Sequence, residues 1–208
     1  YPGADYCFAS LRKWGAVAGA GFACKQGGSF AAAQSVVINE SYLSLRKDGY
    51  ARKAQYMDHG EGGKDVFLKL FHDAEARLDG DYIGYGADGQ SLADACQIAS
   101  TGQQRLQNAT LLSRALARSR LVRLVYSMPK ADDRPLFVPV LVQRGLRDSL
   151  RAHLVENAVY CPVHWSRHSA LSHALYGNEL SLVCDQRYGK DDMQRQIDLI
   201  ESFEKRWG

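Results

Sequence analysis

The apolar positions at the start of the chain follow a strand-like pattern. Residues 4–10 form a short, aromatic-rich run that is typical of a buried strand, and residues 21–24 form a second apolar run. Lys13 lies between the two runs. The glycines that follow it favour a loop, so the pattern predicts two strands joined by a glycine-flanked loop that carries Lys13. These glycines are Gly15, Gly19 and Gly21.

The next part of the chain has helical spacing. Helices are predicted over 41–57 and 65–78, and another begins at the segment 91–94, Ser-Leu-Ala-Asp, which has the spacing of a capping box with Asp in place of Glu. The pattern resumes after Thr101 and Gly102 and predicts a long helix to about residue 118. The apolar face of the helix over 65–78 consists of Val66, Phe67, Leu70, Phe71, Ala74 and Leu78.

From about residue 121 the pattern mixes strands with helices. Strands are predicted over 121–126, 136–142, 159–161 and 180–184, and helices over 146–157 and 190–206. This order predicts an α+β unit that begins near residue 120. The apolar side of the last helix consists of Met193, Ile197, Ile200 and Phe203.

Composition excludes several classes of protein. Of the 208 residues 46% are hydrophobic and 24% are charged, which excludes disorder as the main state. The balance of 26 basic and 23 acidic residues, a net charge of +3, predicts neither a nucleic-acid partner nor a membrane surface. The run Arg114, Arg118, Arg120 and Arg123 is interpreted as a solvated face. No apolar stretch is long enough to span a membrane, and no export signal opens the chain.

Cysteine usage points to a reducing compartment. The five cysteines are odd in number and include no C-x-x-C pair, so we expect reduced thiols that pack as small hydrophobes in a cytoplasmic protein. The first residue is Tyr1 rather than Met, and the segment that it opens is typical of the middle of a folded domain. We therefore expect an N-terminal part to be missing from this chain.

Lys13 is the first candidate for chemistry. A lysine becomes a useful amine nucleophile when desolvation or a neighbouring cation lowers its pKa, and Arg12 is an immediate cationic neighbour. Ser10 could offer its hydroxyl to a phosphate from the same turn, and the small residues after Lys13 would let a flat cofactor approach the backbone. This is a plausible Schiff-base site for pyridoxal phosphate (PLP). The alternative is an ordinary surface lysine in a turn.

A second candidate lies in the C-terminal half. The C-x2-H-x3-H pattern of Cys161, His164 and His168, with His173 following, could bind zinc if Cys184 completed the set, or could hold a thiol–imidazole pair. The alternative is a loop whose histidines are solvated or line a pocket.

A third candidate is Arg187 at the end of a predicted strand. An arginine there could clamp a carboxylate or phosphate with two hydrogen bonds. The alternative is a capping and salt-bridge cluster that includes Asp185 and supports the final helix.

Three ordered segments resemble one family. Residues 4–14 with 19–22 look like the PLP-lysine segment of fold-type-I aminotransferases, most similar to the DegT/DnrJ/StrS branch. Residues 160–165, and 180–188 with the Asp-Asp-Met that follows, resemble later segments of the same branch. The resemblance implies a fold-type-I α/β protein. Residues 1–120 would complete the large PLP-binding domain and residues 121–208 would form a small α+β C-terminal domain.

The resemblance also implies an activity and its residues. Lys13 would form the internal Schiff base with PLP and shuttle a proton, Ser10 would contact the cofactor phosphate, and Arg12 would be a weaker phosphate contact. His164, Trp165 and Arg187 would face the substrate entrance. The family works as a homodimer with active sites at the subunit interface. It moves an amino group from an amino-acid donor to a keto or aldehyde acceptor, with a nucleotide-linked or otherwise modified sugar as our first expectation. We expect no metal site in this chain.

The chain departs from the family pattern in three places. Only twelve residues precede Lys13, whereas the family's pyridine-pairing aspartate and ring-stacking aromatic come before its lysine. Trp14 stands where the family usually has Asn, and Ser166 where it has Pro. The chain thus resembles the C-terminal portion of such an enzyme. Alternatives are another PLP reaction, such as a lyase or desulfurase, and a non-catalytic interaction module with the same fold.

Overall fold

The structure is a computed structural model that describes residues 4–28, 30, 37–78, 86–165 and 175–207. The chain divides between Ala99 and Ser100 into two compact units. This division falls about twenty residues before the predicted boundary near 120. The reason is that Ala109, Leu112 and Leu116 are buried in the hydrophobic core of the C-terminal unit.

The N-terminal unit contains the predicted pair of strands. Strands β1 (Tyr6–Ser10) and β2 (Gly21–Lys25) pair antiparallel, with Cys7 opposite Cys24, and a short 3-10 helix (Leu11–Lys13) follows β1. The prediction that Lys13 lies between two strands is confirmed. The prediction of a buried strand is wrong, because in the described part of the chain this sheet has two strands and Phe8 is 85% exposed.

Two predicted helices of this unit are confirmed. Helix α1 (Glu40–His59) begins where the side chain of Asn39 accepts a hydrogen bond from Tyr42 N, and α2 (Lys64–Glu75) follows. The ring of Phe71 packs directly against Gly49 of α1. A Cβ at this position would lie only 2.6 Å from Cε1 of Phe71, which favours glycine there. The predicted apolar face of α2 is only partly buried, since Val66 is 44% exposed.

Helix α3 (Gly89–Leu116) is longer than the sequence pattern predicts. The predicted break at Thr101 and Gly102 is wrong, because the helix continues through both residues; one glycine costs a helix only about 1 kcal/mol. The predicted capping box is also wrong. Asp88 accepts the hydrogen bond from Ser91 N at 2.8 Å, and Ser91 Oγ instead accepts one from Gly19 N at 3.3 Å.

The described part of the C-terminal unit contains an antiparallel sheet, the C-terminal part of α3 and two further helices, α4 (Arg147–Glu156) and α5 (Lys190–Trp207). Its sheet consists of β3 (Val122–Leu124), β4 (Phe137–Val142) and β5 (Glu179–Val183), in this order across the sheet. The predicted α+β character of this unit is confirmed. A strand predicted over 159–161 is wrong, because these residues form irregular chain that runs into Pro162, which has no N–H to donate to a ladder.

The core of this unit is formed by the sheet and the predicted apolar side of α5. Val140 on β4 lies opposite Leu180 on β5, and both are fully buried. The predicted core residues of α5 are confirmed, since all four are at most 4% exposed: Met193, Ile197, Ile200 and Phe203. Among the helices that the structure describes, none combines the length and the apolar character that a membrane crossing requires.

We expect Ile200→Ala to lower the free energy of unfolding of the C-terminal unit by about 2–5 kcal/mol, because the fully buried side chain would leave a cavity. Urea unfolding followed by circular dichroism measures this change. The control is Glu201→Ala, the exposed neighbour, which should change stability by less than about 0.5 kcal/mol. Equal effects of the two substitutions would contradict the assignment of this helix face to the core.

Candidate functional site

Lys13 stands at the end of a short, hydrogen-bonded turn. It is the last residue of the 3-10 helix that follows β1, and its side chain is exposed. Leu11 N donates to Ala20 O at 2.9 Å, and Trp14 N donates to Leu11 O at 2.9 Å, so the backbone is tied on both sides of Lys13. Ser10 is also exposed, and its hydroxyl does not cap the helix that it precedes. Both side chains are therefore accessible to a ligand.

Arg12 has partners within the N-terminal unit. Its Nη1 donates to Glu75 Oε1 at 2.6 Å and to the Tyr42 hydroxyl at 3.3 Å. Burial disfavours the charged form, but attraction by Tyr42 and Glu75 outweighs burial and raises the pKa of Arg12 above its ordinary value. Arg12 thus ties the turn that carries Lys13 to α1 and α2. Its predicted role as a phosphate contact stays a prediction.

Two of the small residues after Lys13, Ala18 and Gly19, pack against α1. Val17 and Ala18 are 1% and 2% exposed, and a Cβ at Gly19 would lie 2.6 Å from Cδ2 of Leu43. Ala18 clusters with Tyr42 and Leu43 of α1, so Ala18 and Gly19 fit closely against this helix. That the remaining small residues let a flat cofactor approach the backbone stays a prediction; of these, Ala16 and Gly21 are exposed.

His164 and Trp165 are neighbours on the surface of the C-terminal unit. Both are exposed, Trp165 to 45%. The His164 ring lies against Phe137 with 4.8 Å between ring centroids, and Trp165 meets Tyr176 edge to face at 5.7 Å. Exposed aromatic rings that are held by other rings are suited to binding a ligand with an apolar face. The other predicted histidines, His168 and His173, lie outside the described residues.

A buried carboxylate holds this surface, and our sequence interpretation missed it. Glu179 is fully buried, and its Oε2 accepts hydrogen bonds from His164 N at 2.9 Å and Trp165 N at 3.2 Å. Its Oε1 accepts one from Ser181 Oγ at 2.5 Å, and Ser181 Oγ lies 2.9 Å from His164 Nδ1. A signal was present in the sequence: polar Glu179 and Ser181 alternate with apolar Leu180 and Leu182. This spacing puts the two polar side chains on one face of a strand.

Arg187 is paired with a carboxylate of the protein. Its Nε donates to Asp185 Oδ1 at 3.0 Å and its Nη2 to Asp185 Oδ2 at 2.6 Å. This hydrogen bonding raises the pKa of Arg187. Burial raises the pKa of Asp185, but the hydrogen bonds from Arg187 outweigh burial and leave it below its ordinary value. The salt-bridge cluster that we considered as the alternative is therefore present, and it occupies one edge of the guanidinium group.

The chain segment around Arg187 is held by a buried amide. Asn108 is 1% exposed, and its Nδ2 donates to the carbonyl groups of Asp185 at 3.1 Å and Tyr188 at 2.9 Å. Asp192 at the start of α5 accepts a hydrogen bond from Gly189 N at 2.9 Å. The turn that carries Arg187 is thus fixed from α3 and from α5. The sequence gives no pattern that marks Asn108 for this task.

Two of the five free cysteines are buried in the C-terminal unit. Burial raises the pKa of Cys161 to about 11 and that of Cys184 to about 12. Such thiols stay protonated, which does not suit a nucleophile. Their packing as small hydrophobes is confirmed, whereas Cys24 and Cys96 are exposed. Within the described ranges, no group of three or more His, Cys, Asp or Glu side chains is placed to hold a metal ion.

The candidate residues thus form groups within each unit. Ser10, Arg12 and Lys13 adjoin one another in the N-terminal unit. In the C-terminal unit the structure brings His164 and Trp165 together around Glu179, and joins Arg187 to Asp185.

The fold is that of the PLP-dependent transferases of fold type I, as the sequence resemblance predicts. The chain is similar in structure to a DegT/DnrJ/EryC1/StrS aminotransferase from Brucella abortus, with 16% identity, a TM-score of 0.53, and coverage of 96% of this chain and 51% of that one. It is also similar to PseC of Helicobacter pylori, an aminotransferase involved in the biosynthesis of pseudoaminic acid. In that comparison the identity is 16%, the TM-score 0.50, and the coverage 66% and 47%.

A third similar structure is a Streptococcus pneumoniae protein described as a sugar aminotransferase, in its PLP form. The identity is 11%, the TM-score 0.52, and the coverage 67% of this chain and 44% of that one. No family model matches the chain, and no curated protein matches it. The chain spans about half the length of these solved structures. At such low identity the likeness establishes the fold of the chain.

We expect Cys161 and Cys184 to react far more slowly with iodoacetamide at pH 8 than Cys24 and Cys96. A pKa of about 11 leaves about one thiolate in a thousand at that pH, and burial also blocks access. Timed labelling with peptide mapping by mass spectrometry measures the rates. All five thiols should react at comparable rates in guanidinium chloride. Rapid labelling of Cys161 in the folded chain would contradict its burial.

Proposed function

We propose that this chain is part of a PLP-dependent aminotransferase. The enzyme moves an amino group from an amino-acid donor to a keto or aldehyde acceptor, with a nucleotide-linked or otherwise modified sugar as the first candidate acceptor. The observation that carries the proposal is the placement of Lys13, at the exposed end of a tied turn between two paired strands, in a chain with the aminotransferase fold.

The groups around Lys13 fit PLP by their chemistry. Lys13 offers a primary amine that can bond to the aldehyde carbon of the cofactor, and the exposed hydroxyl of Ser10 can donate to its phosphate. Arg12 stays a weaker candidate for the phosphate, because its Nη1 already donates to Glu75 and Tyr42. When bound, PLP supplies an electron sink for the substrate α-carbon.

Lys13 has two tasks in this proposal. Its Nζ would hold the cofactor and, once the amino group of the donor had displaced it, would take up the proton that leaves the substrate α-carbon. Proton transfer of this kind requires the neutral amine, and the backbone hydrogen bonds on both sides of Lys13 keep the origin of the side chain in place. The contact of Arg12 with Glu75 supports the same turn from α2.

The C-terminal unit supplies the residues proposed to bind substrate. His164 offers an imidazole, Trp165 an apolar ring face, and Arg187 the guanidinium edge that Asp185 does not occupy. Arg187 in that position would contact the carboxylate of the amino-acid donor. By analogy with the family, the working enzyme is proposed to be a cytoplasmic homodimer.

A non-catalytic interaction module is the second candidate. One observation favours it: Ala18 and Gly19, two of the small residues after Lys13, pack against α1. Another PLP reaction on the same scaffold, a lyase or desulfurase reaction, would use the same lysine. The reaction products would separate that possibility from amino-group transfer.

We expect borohydride reduction in the presence of PLP to leave a stable adduct on Lys13. The experiment uses the protein produced from its complete reading frame, with limiting PLP and peptide mapping of every labelled lysine. The reason is that a lysine at a cofactor site reacts before ordinary surface lysines do. The absorbance of the lysine–PLP linkage should also be absent from Lys13→Ala.

Lys25 provides the matched control, because it is exposed on the same pair of strands and lies over the ring of Tyr6. Lys25→Arg should retain the adduct and Lys13→Arg should lose it, with both variants folded by circular dichroism. Equal labelling of Lys13 and Lys25 would contradict the assignment of Lys13 as the lysine that binds PLP, and it would favour the interaction module.

A further inference from the structure

The buried carboxylate of Glu179 sets the direction of the hydrogen bonds around it. An ionised carboxylate can only accept, and Glu179 has three donors: the backbone N–H groups of His164 and Trp165 and the hydroxyl of Ser181. The distance of 2.5 Å between Ser181 Oγ and Glu179 Oε1 is typical of an O–H donor that meets a charged oxygen. The hydroxyl proton of Ser181 therefore points to Glu179.

This direction determines which nitrogen of His164 carries the proton. Ser181 has a single hydroxyl proton, which Glu179 takes, so Ser181 Oγ faces His164 Nδ1, 2.9 Å away, as an acceptor. Nδ1 must then be the protonated nitrogen of the neutral ring. Nε2 is left with a lone pair, on a side chain that is exposed to solvent. Contact with Phe137 restricts rotation of the ring.

We propose that Glu179 and Ser181 are positioning residues that hold His164 in its Nδ1–H tautomer and so present Nε2 as a hydrogen-bond acceptor to a hydroxyl group of the acceptor substrate. Trp165, beside it, offers a ring face to the C–H groups of a polyhydroxylated ring. The proposal deepens the proposed function: the substrate contact rests on that function, whereas the tautomer of His164 does not.

The two buried residues have separable effects. Glu179 holds the backbone of residues 164 and 165 through Oε2, whereas Ser181 is the link from Oε1 to the imidazole. Ser181→Ala therefore removes the link and leaves the backbone hydrogen bonds in place. A merely structural role for Ser181 would change stability without changing the tautomer.

The test is nitrogen NMR of the chain labelled with 15N-histidine, with His164 assigned by the loss of its signals in His164→Gln. We expect the unaltered chain to show Nδ1 protonated and Nε2 unprotonated at a pH where the ring is neutral. Ser181→Ala should shift the population towards the Nε2–H tautomer, and Ser181→Thr should restore it. Ser202→Ala is the matched control, because that hydroxyl is exposed and donates to Leu199 O.

The second arm measures steady-state kinetics of the holoenzyme from the complete reading frame. Loss of one well-oriented hydrogen bond should raise KM for the sugar acceptor about tenfold in Ser181→Ala, with KM for the amino donor unchanged. An unaltered chain with Nε2 protonated, or a Ser181→Ala chain with the Nδ1–H tautomer intact, would overturn the positioning role. A changed tautomer with an unchanged acceptor KM would overturn the substrate contact. A protein without aminotransferase activity would remove the proposed function and that contact together, and the NMR result would still decide the tautomer.

Discussion

The irregular segments of the C-terminal unit depend on one physical constraint: a polar group removed from water must have its hydrogen bonds satisfied. Glu179 is fully buried at the start of β5, and it meets this requirement by binding the backbone of residues 164 and 165. Asn108 does the same from α3 for the segment that carries Arg187. Each buried group therefore determines the course of a surface segment that no helix or strand would fix.

The turn that carries Lys13 is held in a different way. Strand pairing fixes its two ends, and the hydrogen bond from Leu11 to Ala20 continues that pairing beyond β1. The ion pair between Arg12 and Glu75 is half exposed, so its energetic contribution is small, but it links the turn to a helix. The position of Lys13 is thus set by backbone geometry, and the ion pair of Arg12 with Glu75 adds a link from the turn to α2.

The elements with strong local patterns were predictable. Helix α5 carries charges of the right sign at both ends and an apolar side of four residues, and the structure has it where the pattern predicts. The strand pair around Lys13 and the order of the C-terminal unit followed from apolar runs and turn residues. The prediction of a break at Gly102 was wrong because packing in the core can stabilise a helix that contains a residue of low helix propensity. The packing partners are distant in sequence, so a local pattern does not show them.

The candidate site was predictable only as far as single residues carry chemistry. Lys13, His164 and Arg187 attract notice because amines, imidazoles and guanidinium groups react or bind. Their partners Glu75, Glu179 and Asp185 come from other elements or serve two purposes at once, and a linear pattern shows neither property. The resemblance to aminotransferases gave the fold, but it could not show that Ala18 and Gly19 pack against α1.

The irregular segment that precedes the His-Trp pair has a consequence for the behaviour of the protein in a crowded solution. Pro162 O accepts a hydrogen bond from Ser181 N on the side of β5 that does not pair with β4, so this border of the sheet is covered by chain that cannot extend a ladder. The opposite border, β3, is three residues long and carries the exposed charge of Arg123. Both borders therefore resist the addition of a foreign strand, which protects an apolar sheet from aggregation between copies.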